Sequence, residues 1–120
     1  MDPAMKGAVA AVAMLAPLYV LAASSDAMTA DALRLDCIST QTAAQGRCIS
    51  FVSGFVQGFA AGATLPGNKS PVCPPREMTN GDVRALFLKN MQSHPEVGSR
   101  YAGEVLGATL IATYPCSKQK

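Results

Sequence analysis

The chain has 120 residues, 49% hydrophobic and 15% charged, with ten Lys and Arg against eight Asp and Glu and a formal net charge of +2. That length holds one domain rather than two, and the scattered cations form no basic run that would favour nucleic acid. The apolar residues are unevenly spread: 18 of the first 23 are apolar, against 41 of the 97 that follow.

The first segment reads as a leader. Lys6 and the amino terminus give a positive start, Gly7 to Ala23 is apolar or small, and small residues then recur through Ala22-Ala23-Ser24-Ser25-Asp26-Ala27. This pattern predicts a signal peptide over 1–23, cleaved near Ala22 or Ala23, with Ala27 a third option. The 17-residue stretch from Gly7 to Ala23, interrupted by Pro17, falls short of the ~20 residues of a membrane helix. No membrane association is expected after cleavage, and residues 24–120 are expected to form the exported domain.

Four cysteines follow the leader: Cys37, Cys48, Cys73 and Cys116. An even count in a short exported chain predicts two disulfides, with all three pairings open. Zinc sites bring their ligands in close pairs, whereas this chain has no Cys-x-x-Cys and a single histidine, His94. No metal or other cofactor is expected.

A short helix is expected over Asp31–Cys37, anchored by Leu33 with Ala32 or Leu35 beside it. Ser39–Gly46, polar and small, reads as a connector. Cys48–Ala61 places Ile49, Val52, Phe55, Val56 and Phe59 at helical spacing. It also carries Gly54 and Gly58, with Gly62 next in the series. A helical glycine costs ~1 kcal/mol relative to alanine, so another backbone is expected to pass close by. Gly62–Met78 contains four prolines and Gly67 and predicts a long loop tethered at Cys73.

Thr79 and Asp82 form a capping-box pattern opening a helix to about Gln92 that buries Val83, Leu86, Phe87 and Met91. Ser93 or His94 is expected to cap the last helix, with Pro95 in its first turn and Glu96 complementing its dipole. That helix is expected to reach Thr113, with an inner stripe of Val97, Tyr101, Val105, Ala108 and Ala112. Its Gly103 and Gly107 are expected to meet the glycines of the earlier helix. The predicted fold is all-α: a small disulfide-stapled helical domain of three main helices plus a short N-terminal helix.

Catalysis is disfavoured. A nucleophile, a base and an orienting group are needed, yet the nearest combination, Cys73 with His94, uses a cysteine expected to be bridged. Asp82 and Glu96 sit where helix dipoles favour acids, and Glu104 reads as solvated. Ser53-Gly54 lacks the flanks of a nucleophile elbow. Gly62 and Gly67-Asn68-Lys69-Ser70 lack the ending of a phosphate loop. Binding is left, and the candidate surface is the loop Gly62–Arg76 with Leu65, Asn68, Lys69, Val72 and Arg76. A proline-rich loop held by a disulfide loses little entropy on docking.

Five motifs occur in order: Leu33-x-x-x-Cys37, Cys48-x-x-Phe51-x-x-Gly54, Val72-Cys73-Pro74, His94-Pro95-Glu96 and Tyr114-Pro115-Cys116. This succession resembles the Tai-type immunity family, small exported helical proteins that protect bacteria from type VI secreted amidases. The family commonly has tyrosine where this chain has Phe51, and often an acidic residue where it has Gln57. The resemblance implies a periplasmic homodimer that binds its cognate peptidoglycan amidase effector and blocks the active-site cleft. Its motif residues here are Phe51, Gly54, Pro74, His94, Pro95, Glu96 and Pro115 with the four cysteines. The alternative is a periplasmic stress chaperone or envelope protein-interaction module. One histidine and eight carboxylates leave little to titrate between pH 7 and pH 4 in support of acid-triggered chaperoning.

Overall fold

A computed structural model describes residues 27–116; the leader and its cleavage positions lie outside them. Four α-helices are present among the described residues: α1 (Ala30–Ile38), α2 (Thr42–Ala63), α3 (Asn80–Ser93) and α4 (Ala102–Thr113), with a 3₁₀ helix (Pro95–Ser99) between the last two. Among the described residues there are no strands, only two isolated backbone bridges, Thr29 with Tyr101 and Val72 with Pro115. None of the described helices is long and apolar enough to cross a membrane.

Each helix turns a narrow stripe inward. α1 buries Ala30, Leu33 and Cys37, α2 buries Ala44, Cys48 and Val52, and α3 buries Val83, Phe87 and Met91. The three- and four-residue steps keep these side chains on one face of each helix. Phe87, Leu33 and Leu106 are the largest fully buried side chains. Although α1 is the shortest of the four, it packs against all three others and against the 3₁₀ helix. Burying such a short helix centrally is feasible because Thr29 caps it, its hydroxyl accepting from Ala32 N–H at 3.2 Å. Beside Leu33 the core takes Ala30 and Cys37, not Ala32 or Leu35, which are exposed.

The segment Ser39–Gly46 is not a plain connector, because α2 already begins at Thr42. Two cross-links hold its first turns against the end of α1. Cys37 and Cys48 are disulfide-bonded with Cα atoms 5.0 Å apart. One residue back on each helix, Arg47 grips Asp36 through Nε–Oδ2 at 3.1 Å and Nη2–Oδ1 at 2.7 Å. Ser39 braces the turn, its hydroxyl accepting from Gln41 N–H and its carbonyl from the Gln45 side chain. A third tie comes from α3, where the Arg84 guanidinium donates to the Cys37 carbonyl at the C-terminal end of α1. A cation suits that end of a helix, and the Arg84 Nε, buried beside it, has no partner.

The last predicted helix is two elements. After the 3₁₀ turn, Arg100 is extended (φ −75°, ψ 163°). Its carbonyl accepts from Ala30 N–H and the Met28 carbonyl accepts from Ala102 N–H, both at 2.8 Å. This pairing with the segment leading into α1 interrupts the helix and resets its phase. The inner stripe is therefore Ala102, Val105, Leu106, Thr109 and Leu110, while Tyr101, Ala108 and Ala112 face outward. Thr109 is tolerated inside because its hydroxyl donates to the Val105 carbonyl at 2.7 Å. Neither Ser93 nor His94 caps the 3₁₀ turn with its side chain.

The expected glycine-to-glycine crossing is absent. A Cβ at Gly54, Gly58 or Gly62 would meet nothing within 4 Å, whereas one at Gly103 or Gly107 would touch the Phe55 ring at 3.7–3.8 Å. An aromatic ring, not a backbone, fills the space between α2 and α4. Ile49 also leaves the predicted inner face and is 40% exposed.

Candidate partner-binding surface

The long loop between α2 and α3 starts with ordinary helix-ending chemistry. Thr64 donates its hydroxyl to the Ala61 carbonyl at 2.7 Å, and Gly67 takes the left-handed φ of 81° that turns the chain back. The Asn68 side-chain amide donates to the Gly62 carbonyl at 3.1 Å. Asn68, expected to face a partner, thus spends that amide on bracing its own loop.

From Ser70 onward the loop is fastened to the end of the chain. Cys73 and Cys116 form the second disulfide, with Cα atoms 4.8 Å apart. Alongside, Cys73 N–H donates to the Tyr114 carbonyl at 2.8 Å and Cys116 N–H to the Pro71 carbonyl at 3.4 Å. The Ser70 hydroxyl closes a small turn by donating to the Val72 carbonyl and accepting from Val72 N–H. Val72, expected on the binding surface, is instead 6% exposed and belongs to the core. The isolated bridge to Pro115 holds the Val72 backbone in place with its side chain in the core.

The remaining loop candidates stay at the surface. Leu65 is 58% exposed, and Lys69 and Arg76 are exposed. Neither cation belongs to any of the four ion pairs among the described residues, which join Arg34 to Asp31, Arg47 to Asp36, His94 to Glu96 and Arg100 to Glu104.

Between the fastened loop and the second half of α2 lies an apolar groove of about 310 Å³, lined by Val56, Phe59, Ala60, Ala63, Ser70, Val72, Pro74, Met78 and Leu110. Phe59 is held in place by Phe55, their ring centroids 5.6 Å apart. A shallower trough of similar volume adjoins it, sharing Phe59, Ala63 and Ser70 and rimmed by Asn68 and Lys69. Sequence reasoning placed Val56 and Phe59 on one face of their helix and gave Met78 and Leu110 no surface role. Met78, a flexible apolar side chain in an otherwise proline-rich and polar stretch, was the available signal.

The motif residues do not converge on one point. Phe51 is half-buried against the core, Gly54 is exposed on α2, Pro74 lines the groove, and Pro115 pairs with Val72. His94, Pro95 and Glu96 form an exposed corner after α3, where His94 Nδ1 lies 3.0 Å from Glu96 Oε1. His94 and Cys73 make no catalytic pair, because Cys73 is disulfide-bonded.

The perturbed ionisations mark structural ties. The Asp82 carboxyl is held below its usual range by Thr79 N–H first, which is one bond of the predicted capping box, and by the Thr79 hydroxyl donating to it second. Asp36 is lowered by its hydrogen bond to Arg47, whose own value is raised in return. Glu96 is lowered by its own backbone N–H and then by His94. Among the described residues no three His, Cys, Asp or Glu side chains are grouped to hold a metal ion.

Compared with known families, residues 29–116 match the family model described as Rap1a immunity proteins. No curated protein and no solved structure matches the chain.

Proposed function

The chain belongs to the Rap1a immunity proteins, and from that membership we propose a finer reading: it is a periplasmic inhibitor of a type VI secreted peptidoglycan amidase. Membership itself makes it an immunity protein against a secreted effector, and so a protein that binds that effector; a non-enzymatic inhibitor is the role this membership supports. The observation carrying the finer reading is the loop between α2 and α3, which projects Leu65 and Lys69 from a base fixed by Cys73–Cys116. A stiffened loop pays its ordering cost on folding rather than on binding, which suits insertion into an active-site cleft and steric exclusion of substrate. The two disulfides and the leader pattern support export to an oxidising compartment. The five ordered motifs support an amidase as the target and a homodimer as the active form.

The test is direct. Mature protein mixed with the effector encoded beside its gene is expected to abolish peptidoglycan hydrolysis at a stoichiometric ratio, with light scattering reporting the mass of a dimer for the free protein. Undiminished hydrolysis with no complex would exclude the inhibitor reading. A monomer that still inhibits would remove only the homodimer.

A further inference from the structure

We propose that the groove between α2 and the fastened loop is the anchor pocket for the effector, accepting one apolar side chain presented within an acidic surface. This rests on the effector-binding reading and names the chemistry of the contact. Three observations lead to it.

The groove is apolar yet open. Phe59 and Ala60 from α2, Pro74 and Met78 from the loop, and Leu110 from α4 line a space of about 310 Å³, at the lower end of the range of built binding pockets. Its walls are rigid on the loop side, since the Val72–Pro115 pairing and the Cys73–Cys116 bond fix that edge. Interfaces draw most of their energy from such a desolvated centre filled by one or two side chains.

The helix forming the other wall is unusual for one facing water. From Cys48 to Ala63 it carries no charged residue, although Ser50, Gly54, Gln57, Gly58, Ala60 and Ala61 are all exposed. An approaching surface meets no ionic group on that wall whose desolvation would have to be offset.

Charge is instead collected on the loop side of the rim. Lys69 borders the adjoining trough and Arg76 lies between the lining residues Pro74 and Met78; both are exposed and outside the ion pairs described above. Glu77 is the single carboxylate between Thr64 and Thr79. Two exposed cations against one carboxylate on the loop beside an apolar centre complement a partner with an acidic rim around a leucine- or phenylalanine-like side chain. Charge placed at a rim acts mainly on the rate of association.

The experiment measures binding of the neighbouring effector to the intact mature protein by biolayer interferometry. Ala60→Trp, at an exposed helix position, fills the groove without touching the core and is expected to weaken binding by about tenfold or more. Lys69→Glu with Arg76→Glu is expected to slow association by about tenfold at low salt, a difference that closes near 0.5 M salt. Gly46→Ala, on the same helix but away from the groove, is expected to bind as the unaltered protein does. Tight binding by the unaltered protein and by Ala60→Trp alike would overturn the groove while leaving the effector reading intact. So would association that ignores the charge reversal. Absence of binding by the unaltered protein would overturn the effector reading and the groove with it. Circular dichroism of each variant separates lost binding from lost folding.

Discussion

Replacing the exposed glycines of α2 tests the corrected account of how that helix packs. Gly54 and Gly58 lie inside a 22-residue helix, and a Cβ at either meets nothing within 4 Å. Each Gly→Ala exchange therefore adds no clash and removes only backbone freedom from the unfolded chain. That freedom is worth about 0.5–1 kcal/mol per position in a helix interior. One helical turn apart and both facing solvent, the two sites share no partner, so the gains should add to about 1–2 kcal/mol. In a domain of this size such a gain raises Tm by roughly 5–15 °C. The assay is urea denaturation of the oxidised protein, in which the midpoint should rise with an unchanged slope. Repeating it at two protein concentrations distinguishes helix propensity from association. A lowered midpoint for either single variant would refute the reasoning, because it would mean that something in the folded protein already occupies that space.

Phe87→Ala should cost about 3–5 kcal/mol, since the ring is fully buried at the centre of α3's inner face; an unchanged urea midpoint would contradict the placement of the core. Gly98→Ala should leave Tm nearly unchanged, because the new methyl would meet only the end of the exposed Asp31 side chain, which can swing into solvent; a marked loss would show that this carboxylate is fixed in place. Asp82 and Asp36 both have folded-state values below their ordinary ones. Their contribution is fully present above the unfolded value of about 4 and is lost as pH falls through the lowered folded value. Asp82→Asn should therefore flatten the fall of Tm with acid below about pH 4, and an unaltered pH profile would show that the capping box does not supply it. Removing Cys73–Cys116, which joins residues 43 apart, should cost about 4 kcal/mol by loop entropy, against about 3 kcal/mol for Cys37–Cys48 with its separation of 11. Paired Cys→Ala variants compared in urea check the order.

What could be read from the sequence was local. The start of α3 followed from Thr79 and Asp82 alone, because a capping box is completed within four residues. The proline-rich loop and the pairing capacity of the cysteines were equally local. The errors share a different origin. The start of α2 is tied down by Asp36 and Cys37 reaching across to Arg47 and Cys48, and the helix propensity of Ala43, Ala44 and Gln45 was outweighed in the reading by the polar and small character of the segment. The split before α4 depends on Arg100 and Ala102 bonding to residues some seventy positions earlier, so the predicted stripe through Tyr101 and Ala108 ran out of phase. The glycines of α2 were paired with those of α4 by spacing alone, and Phe55 occupies the gap. The groove was invisible for the same reason: its walls come from α2, the loop and α4, which only the folded chain brings together.

The two disulfides enclose separate stretches, 37–48 and 73–116, and the 24 residues between them are spanned by neither. A peptide bond cut within 74–115 leaves a single covalent molecule, whereas one cut between Ile49 and Val72 leaves two. Lys69 is the only lysine or arginine in that unspanned stretch, and Arg76 lies just beyond it within the second ring. Trypsin acting on the same exposed loop thus has two unlike consequences: a nick after Arg76 is silent on a non-reducing denaturing gel, and a nick after Lys69 separates α1 and α2 from α3 and α4. The unspanned stretch, with the loop offered to the effector at its end, is also the only covalent connection between two separately cross-linked halves, and Lys69–Ser70 is the bond in it that trypsin can cut.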